Sequence, residues 1–579
     1  MQSKNMTKFC IVGTGFSGTA ALVHLVKQLV ASKLDCRNIE VVTIEQRKSN
    51  GPGHPYCREE LLPTHLCNNQ TYMMALFDND FYDWLCEQRV ELAEQIPDLI
   101  KVTHPELKDV TQWQPDQDAF YPRALFGLYL KARFDQYCLV AKENGIQLHH
   151  FNDCQVLDGQ STEQGFALQF RQAASLNKTT QVFDKVLLCT GHWNSIKTNK
   201  YDDRVLTSPY PYSKLKEWLN QQAQKGEIKT KHIGIKGMGP SGIDAILSLV
   251  ESGQFIYNAE GEVTAFKADD ITAKLKIHAL SRCGFFPAVR DKRIEHQFKY
   301  LTEDTFFDLE QKQGKRLALD DILHLIDMEL KTASGGAIGW YEVAHPPFDS
   351  ALEKLEYDVT LPHDNVLIHT VLLRVRRMKF YRYLTADEKQ RYDSLLDTHF
   401  IRTAVPIPLL NAQKLIALFE AGILSSCQLG YEHKDAIKVS AKDIVVTDGQ
   451  LPEPFNLDGI ILAAGQSFKL ERHPDNLVKS LVARGELRPH AEQSYQTGGI
   501  QLQGHESYRA MRTNPNTLQA QVSPYLSSFG VLTRYWQNER NFAAAFVEAA
   551  QSVAHDWVDH IYQKTKSQHT RTEQNKVHA

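Results

Sequence analysis

Short apolar runs that lead directly into glycine-rich turns are the clearest pattern along this chain. Residues 9–12 are apolar and enter the turn at residues 13–18 (GTGFSG), and apolar positions follow at helical spacing through residues 20–26. Residues 233–242 (IGIKGMGPSG) repeat this arrangement. A short, wholly apolar run is typical of a buried strand, and apolar positions three and four apart indicate a helix. Each segment therefore predicts a strand, a tight turn and a helix.

Both turns have the spacing G-x-G-x-x-G, in which each glycine has a physical role. The first permits the tight turn, the second lets the backbone approach a pyrophosphate, and the third allows the helix to pack on the sheet. The helix N-terminus then offers free N–H groups to the anion. Two copies in this context predict two dinucleotides bound by one chain. The candidate contacts are Gly13, Gly15, Phe16, Ser17 and Gly18 in the first turn and Gly237, Gly239, Ser241 and Gly242 in the second.

Two other apolar strands end in a small residue followed by glycine. Residues 183–191 (FDKVLLCTG) end in Thr190 and Gly191, and residues 457–465 (LDGIILAAG) end in Gly465. Because glycine lacks a side chain, such a strand end lets the backbone come close to a bound cofactor. We therefore expect Thr190, Gly191 and Gly465 to contribute to the two dinucleotide sites.

The strand that follows each glycine turn indicates which nucleotide is bound. Residues 39–45 (IEVVTIE) end in Glu45, where an acid would hold a ribose hydroxyl, as in the adenosine half of FAD. The alternative is a solvated strand end. Residues 277–280 lead instead to Ser281 and Arg282, which fit a 2′-phosphate and favour NADPH over NADH. The alternative for Arg282 is a solvated surface charge.

A chain of 579 residues predicts more than one domain. We expect the α/β class, with two Rossmann-like dinucleotide-binding domains, the FAD domain interrupted by the NADP domain. The predicted parts are residues 1–212 and 441–564 for the FAD domain, and residues 213–440 for the NADP domain, with a largely helical insertion at about 285–422. That insertion either covers a site or is structural bulk. The polar residues 565–579 predict a disordered tail.

Composition argues against several partners. The chain is 42% hydrophobic and 23% charged, with a net charge of −4, which gives no reason to expect nucleic acid or an anionic membrane. No apolar run reaches membrane-spanning length. The polar start, residues 1–8, predicts no secretory signal and hence a cytoplasmic location.

The cysteines exclude one branch of flavin chemistry. None of the ten forms a Cys-x-x-Cys pair or a zinc-like spacing. We therefore expect neither a metal site nor the close thiol pair that a flavin-linked disulfide reductase needs. No nucleophile–histidine–acid set stands out, and no catalytic residue is assigned.

The order of these elements resembles the two-dinucleotide flavoprotein superfamily, which includes flavin-containing and N-hydroxylating monooxygenases. Residues 458–466 (DGIILAAGQ) resemble its D-x-x-x-x-A-T-G-Y element, with Ala464 and Gln466 as departures. More narrowly, the chain resembles the subfamily of FAD-dependent urate hydroxylase and the aspartate N-monooxygenase that forms nitrosuccinate. The stretches that carry this resemblance are residues 65–73 (HLCNNQTYM), 121–130 (YPRALFGLYL), 281–287 (SRCGFFP), 498–502 (GGIQL) and 528–530 (SFG).

The resemblance implies further site residues and an activity. It places Asn68 near the flavin ring, Arg123 near the cofactor's rim, and Ile500 and Gln501 in a flavin-facing segment. It also implies that NADPH reduces FAD, that the flavin takes up oxygen, and that the C4a-hydroperoxide hydroxylates an amine nitrogen or small heterocycle. The alternatives are an NAD(P)H oxidoreductase that passes electrons to another acceptor, and a non-catalytic flavin-binding protein.

Small anionic substrates need fixed cations. Arg290, Arg293 and Arg402 are candidates, whereas the basic residues between 374 and 377 fit a solvated face. His192, which follows Gly191, is either a substrate or flavin contact or a structural histidine. The expected partners are a small-molecule substrate and molecular oxygen.

Overall fold

The computed structural model describes residues 6–192, 203–224, 230–290, 292–430, 436–447, 453–465, 469–504, 507–533 and 543–577. Gln466 of the superfamily element lies outside them. The strands, in chain order, are β1 Thr7–Val12, β2 Ile39–Ile44, β3 Gln147–Phe151, β4 Cys154–Thr162, β5 Gly165–Gln172, β6 Thr179–Phe183, β7 Lys185–Leu188, β8 Val205–Leu206, β9 Lys231–Lys236, β10 Gln254–Tyr257, β11 Val263–Lys267, β12 Leu275–Ser281, β13 Val289–Arg290, β14 Ile407–Pro408, β15 Leu424–Gln428, β16 Ile437–Val439, β17 Ile444–Val446, β18 Phe455–Leu457, β19 Gly459–Leu462, β20 Pro489–Glu492, β21 Tyr495–Ile500, β22 Arg509–Thr513 and β23 Ala520–Ser528.

The helices occupy most of the middle of the chain. In chain order they are α1 Phe16–Ala31, α2 Gly53–Tyr56, α3 Asp80–Glu87, α4 Arg89–Gln95, α5 Pro97–Lys101, α6 Arg123–Glu143, α7 Tyr212–Gln224, α8 Pro240–Leu249, α9 Thr305–Gln313, α10 Leu319–Ala333, α11 Trp340–Ala344, α12 Ala351–Thr360, α13 Pro362–Arg377, α14 Ala386–Arg391, α15 Asp397–Ala404, α16 Leu409–Glu420, α17 Asn476–Ala483 and α18 Ala543–Val577.

The first glycine turn belongs to a sheet with the strand order β22-β23-β7-β1-β2-β3. Strand β1 pairs in parallel with β2 and β7, and β7 pairs in parallel with β23. The sequence of β2 is apolar almost throughout, and all six of its residues are buried, because helices cover both faces of such a sheet. The glycine turn that follows β1 thus lies at the carboxyl edge of a parallel sheet, between two neighbouring strands.

The second glycine turn belongs to a sheet with the order β15-β12-β9-β19-β8, in which every pairing is parallel. Strands β8 and β19 belong to this sheet although they lie outside residues 213–440, the range predicted for the second domain. The apolar residues of β19 are buried beside β9, and β8 pairs with β19 at the edge. The pattern of residues 457–465 predicts a strand correctly, but it does not say which sheet the strand joins.

The stretch predicted as a helical insertion contains α9 to α16 and a hydrophobic core of its own. This core includes Leu301, Ile326, Val371 and Phe380, each fully buried. The pair β13 and β14 connects this helical region to the second sheet. The predicted α/β class, with two Rossmann-like sheets and a largely helical insertion, is confirmed, whereas the exact limits of the domains stay a prediction.

The C-terminal helix α18 differs from the sequence prediction. It packs on the first sheet, where Trp557 stacks on Phe9 with ring centroids 4.7 Å apart, and the helix continues to Val577. The expected disordered tail from residue 565 is therefore wrong up to that point. The polar composition of the last residues gave no indication of a helix. The helix forms because its earlier, apolar turns are fixed by packing.

Candidate dinucleotide sites and the contacts between them

The first glycine turn is held on both sides by its neighbouring strands. The amide of Gly13 donates to the carbonyl of Ile44 (2.8 Å), and the amide of Cys189 donates to the carbonyl of Val12 (2.8 Å). Gly13 has a φ of +89°, and a side chain there would overlap the carbonyl oxygen of Cys189. Gly15 caps α1 without any side-chain hydrogen bond. The first amides of α1 therefore suit an anion.

The second glycine turn repeats these contacts. The amide of Gly237 donates to the carbonyl of Leu280 (2.8 Å), and the amide of Ala463 donates to the carbonyl of Lys236 (2.8 Å). Gly237 has a φ of +118°, and a Cβ there would lie 2.6 Å from the oxygen of Ala463. Gly239 caps α8, again without a side-chain cap. Two separate parts of the chain thus build the same anion-accepting turn.

The third glycine of each turn meets the turn itself. A side chain at Gly18 would overlap the carbonyl of Gly13, and one at Gly242 would overlap the carbonyl of Gly237. Both positions require glycine for the helix to start where it does.

The two small-residue strand ends lie directly beside the glycine turns. The hydroxyl of Thr190 is buried and has no hydrogen-bond partner within the described structure. A Cβ built on Gly191 or Gly465 meets nothing within 4 Å. Buried hydroxyls in proteins are ordinarily hydrogen-bonded, so the hydroxyl of Thr190 fits a contact with a bound polar group. The residues around the first turn therefore fit a dinucleotide such as FAD.

Glu45 lies under the first glycine turn and is only 4% exposed. Its carboxylate accepts hydrogen bonds from the amide of Thr14 (2.8 Å), the hydroxyl of Thr14 (3.0 Å) and the amide of Arg47 (2.9 Å). The alternative of a solvated strand end is wrong. The sequence did not single out Thr14, which connects the acid to the turn. The ribose contact of Glu45 stays a prediction.

The predicted 2′-phosphate residues lie at the end of β12. The hydroxyl of Ser281 accepts a hydrogen bond from the amide of Gly284 (3.0 Å), and Arg282 is exposed. Burial lowers the pKa of His399 to about 4, and the charges of Arg402 and Arg282 contribute to this. The helical region thus brings His399 and Arg402 into the neighbourhood of Arg282, a grouping that the sequence did not indicate.

The residues assigned by resemblance have different surroundings. Asn68 is half-buried in the loop before the 3₁₀ turn Thr71–Met73. Ile500 ends β21 and is fully buried, and its amide donates to the carbonyl of Leu532 (2.8 Å). The backbone of Gln501 bonds to Arg488 and Met511 (both 2.8 Å). These contacts neither support nor oppose a role at the flavin.

The first turn is also reached by the C-terminal part of the chain. The ring of Phe16 lies 5.9 Å from that of Phe126 and 6.4 Å from that of Phe546. A Cβ on Gly530, just after β23, would lie 3.2 Å from the hydroxyl oxygen of Ser17. The segment of residues 528–530 therefore lies against the first glycine turn.

A buried polar cluster joins the two sites, and we call Arg123, Asp244, Tyr210, His65 and Ser248 the inter-motif cluster. Arg123 pairs with Asp244 of α8 (2.7 Å), and Tyr210 donates to the same carboxylate. Arg123 also donates to the carbonyl of Leu66 (2.9 Å) and to the hydroxyl of Tyr210 (3.1 Å). His65 contacts the hydroxyl of Ser248 (3.0 Å). The loop after the first sheet is thereby fixed to the helix of the second glycine turn.

This cluster gives Arg123 a partner that the sequence did not suggest. Burial opposes the charge of Arg123, but Asp244 and Tyr210 together raise its pKa. Burial lowers the pKa of His65, which favours the neutral ring. The signal that could have pointed to Asp244 is an acid inside the otherwise apolar helix sequence PSGIDAILSL. The tyrosine hydroxyl also bonds to Ser241, so the cluster reaches the start of α8.

Comparison with known proteins agrees with this geometry. Residues 10–193 match the family model described as FAD-NAD(P)-binding. The uncharacterized protein YdhS of Escherichia coli K12 is 25% identical over 485 residues, which cover 80% of this chain and 83% of that protein.

One of two similar solved structures shows the same fold over nearly the whole chain. The reduced form of the ornithine hydroxylase PvdA from Pseudomonas aeruginosa is similar over 96% of this chain and 100% of its own, with a TM-score of 0.50 and 12% identity. L-lysine 6-monooxygenase from Pseudomonas syringae covers 96% of this chain and 99% of its own, with a TM-score of 0.49 and 13% identity. The fold of this chain is therefore that of the ornithine hydroxylase PvdA. The narrower resemblance to the urate and aspartate enzymes stays a prediction.

The cysteines, the possible metal ligands and the apolar helices are the remaining features that the sequence analysis considered. All ten cysteines are free, and burial raises the pKa of Cys67 to about 12. In the part of the chain that the structure describes, no three His, Cys, Asp or Glu side chains are grouped so as to hold a metal ion. Across the same residues, no helix combines the length and apolar character that crossing a membrane requires.

Proposed function

We propose that this chain is an FAD- and NADPH-dependent monooxygenase that hydroxylates the nitrogen of a small amine. The observation that carries the proposal is the pair of uncapped glycine turns, one in each parallel sheet, connected by the inter-motif cluster. Two dinucleotides bound at these turns would be held in a fixed relation by the Arg123–Asp244 ion pair. A fixed relation is what electron transfer between two bound cofactors requires.

Each turn suits one of the two nucleotides. The buried Glu45 beside the first turn and the unpaired hydroxyl of Thr190 would bind FAD. Ser281 and Arg282 beside the second turn would bind the 2′-phosphate of NADPH, in a neighbourhood that the charge of Arg402 makes more positive. When bound, FAD reduced by NADPH supplies the activation of molecular oxygen.

The chain's own residues would orient the bound cofactors and keep water out of the site. Arg123 fixes the carbonyl of Leu66, so the loop that follows is held against α8. His65 and Ser248 extend the same contact and are both buried. A closed, oriented site of this kind protects reactive intermediates from water.

Oxygen is the favoured electron acceptor among those the fold family uses. A disulfide acceptor of the flavin-linked reductase kind needs a close thiol pair, and the sequence has no Cys-x-x-Cys spacing. The similarity in fold to an ornithine hydroxylase supports an amine as substrate. A small heterocycle remains the second substrate class to be tested. The cytoplasm stays the predicted compartment, and the absence of nucleic-acid or membrane partners also stays a prediction.

The test is a substrate screen on protein purified with its native flavin. NADPH oxidation, oxygen consumption and hydrogen peroxide are measured with amino acids, polyamines and purines. We expect one amine to give a hydroxylated nitrogen in amounts that match the NADPH oxidised, with little peroxide. The matched control is the same mixture without amine, which should yield peroxide alone.

Two outcomes would contradict the proposal. If ferricyanide or a quinone oxidises the reduced flavin while every amine and purine yields only peroxide, the chain is a reductase. If NADPH never bleaches the flavin absorbance, the chain binds flavin without catalysis.

A further inference from the structure

Arg290 lies where three parts of the chain meet. It ends β13, is 3% exposed, and points one guanidinium nitrogen at the sulfur of Met73 (3.4 Å). Another guanidinium nitrogen contacts the ring of His369 on α13, at 3.2 Å from Nδ1 and closer to Nε2. The loop that contains Met73, the strand pair β13 and β14, and helix α13 therefore meet around one cation.

No carboxylate pairs with this cation among the residues that the structure describes. The electrostatic neighbours of Arg290 are the phenol of Tyr72 and a second cation, Arg377 of α13. Burial lowers the pKa of Arg290 to about 10, so the guanidinium keeps its proton at neutral pH. Burial and the charge of Arg290 hold the pKa of His369 well below its usual value, so the ring is neutral. A sulfur and a neutral ring are weak partners for a buried charge.

Arg290 differs from the similarly buried Arg123 in lacking a carboxylate partner among the described residues. Arg123 is 8% exposed, about as buried as Arg290, and its charge is balanced by Asp244 at 2.7 Å. Buried charges in proteins are ordinarily paired, because an isolated one is costly to remove from water. Arg290 has the burial of a paired arginine but no carboxylate partner among the described residues, so a bound anion would complete its surroundings.

The position of Arg290 connects this missing anion to the cofactor sites. Met73 belongs to the loop that begins at His65, and the inter-motif cluster fixes the start of that loop to α8. The same loop therefore contacts α8, the helix that follows the second glycine turn, at one end and Arg290 at the other. An anion bound by Arg290 would lie beside the region where the two cofactors meet.

We propose that Arg290 binds the carboxylate of the substrate, so that the amine hydroxylated by this chain is an amino acid. This inference rests on the proposed function. A guanidinium matches a carboxylate with two parallel hydrogen bonds, which a lysine ammonium cannot provide. The carboxylate end at Arg290 leaves the nitrogen end of the substrate to extend toward the flavin.

The first experiment compares melting temperatures of the holoenzyme. Arg290→Met removes an unbalanced buried charge, so we expect the variant without amino acid to melt higher than wild type. One amino acid from a panel of the twenty common ones plus ornithine should raise the melting temperature of wild type and not of the variant. Arg316→Met is the control, because Arg316 is half exposed and pairs with Glu310 at 3.6 Å.

The second experiment compares each amino acid with the amine that lacks its carboxylate. The pairs are L-ornithine with putrescine, L-lysine with cadaverine, and L-aspartate with β-alanine, which lacks the α-carboxylate. We expect Arg290→Met to raise the KM of the preferred amino acid roughly 10- to 100-fold, with a smaller rise for Arg290→Lys, and to leave the weaker use of its partner amine unaffected.

These experiments separate the two proposals. A lower melting temperature of Arg290→Met without ligand overturns the inference, because it marks a purely structural arginine. Equal hydroxylation of an amino acid and its decarboxylated partner overturns it while the monooxygenase function stands. A rise in the KM of NADPH in place of the amino acid assigns the anion to the cofactor and also overturns it. Arg290-dependent binding of an amino acid without any hydroxylation supports the inference and contradicts the proposed function.

Discussion

The two glycine turns are alike in their backbone and opposite in their surroundings. Gly13 and Gly237 make equivalent hydrogen bonds to the strand beside them. Beside the first turn the next strand ends in Glu45, which is buried and bonded to the turn, whereas beside the second it ends in the exposed Arg282. In the proposed function, the shared backbone would let each turn accept a pyrophosphate, and the different charge would select the nucleotide at each.

The turns also differ in how open they are. A Cβ on Gly15 would lie 3.2 Å from the Cα of Gly53, while one on Gly239 meets nothing within 4 Å. The first turn is thus covered by the first residue of α2, whereas the described residues leave the second turn open at this position. This difference fits a cofactor that stays bound at the first turn and one that exchanges at the second.

The largest effect is expected from a side chain in the covered turn. Gly13→Ala would strain a positive φ, which costs about 1–3 kcal/mol, and would also overlap the carbonyl of Cys189. We expect the purified variant to lack flavin absorbance and to melt far below wild type. Gly239→Ala is the matched control in the open turn and should keep both flavin and melting temperature. Retention of flavin by Gly13→Ala would show that the first turn is not a permanent FAD site.

The second largest effect is expected from removing the Arg123–Asp244 ion pair of the inter-motif cluster. Arg123→Met leaves the buried carboxylate of Asp244 without its cation, and such a change typically costs about 3–5 kcal/mol. We expect a lower free energy of unfolding in urea and a larger KM for NADPH. The double variant Arg123→Met, Asp244→Leu should recover most of the stability. If the double variant is as unstable as the single one, the pair does not act as a unit.

The choice of nucleotide at the open turn should depend on Arg282. Arg282→Ala removes a charge-assisted contact, with an expected loss of about 10- to 100-fold in kcat/KM for NADPH and little change for NADH. The measurement is the ratio of the two specificity constants. Arg484→Ala, which removes a surface arginine paired with Asp158 at 2.9 Å, is the control. An unchanged ratio would mean that the 2′-phosphate is held elsewhere.

The smallest effect concerns acid stability of the two sheets. Burial, with the charges of His232 and Lys276, lowers the pKa of His278 on β12 to about 4. Because the unfolded ring gains its proton near its ordinary pKa of about 6.5, the fold loses stability as the pH falls from about 6.5 to 4. His278→Phe should reduce this loss, as measured by urea unfolding at several pH values.

His150 on β3 of the first sheet is the comparison. Burial also lowers its pKa, but by less than for His278. His150→Phe should therefore flatten the same pH dependence less. A larger effect of His150→Phe would show that the first sheet, not the second, is the more acid-sensitive one.

Local patterns in the sequence predicted much of this molecule. The glycine turns, the strands before them and the small-residue strand ends depend on backbone geometry over a few residues, and the structure has them where expected. The helical region was also predictable, because apolar spacing within a helix is local. The assignment of β8 and β19 to the second sheet was not, since an apolar strand carries no mark of the sheet it joins.

The sequence also did not predict which side chains that are distant along the chain contact each other. The sequence indicated Arg123 and Arg290 as candidate site residues. It did not indicate that Arg123 pairs with a carboxylate and that Arg290 has none among the described residues. Asp244 and His369 lie far along the chain from them, so only packing decides whether they meet.

By itself, the sequence determined that two dinucleotide turns exist, that an acid follows one and an arginine the other, and that no cysteine spacing supports a thiol pair. Only the tertiary structure decided that Glu45 is buried on its turn, that an ion pair connects α6 to α8, and that the enclosed Arg290 has no carboxylate partner among the described residues. The physical reason is that a turn is set by the conformations of neighbouring residues, whereas burial and charge pairing are set by how distant segments pack.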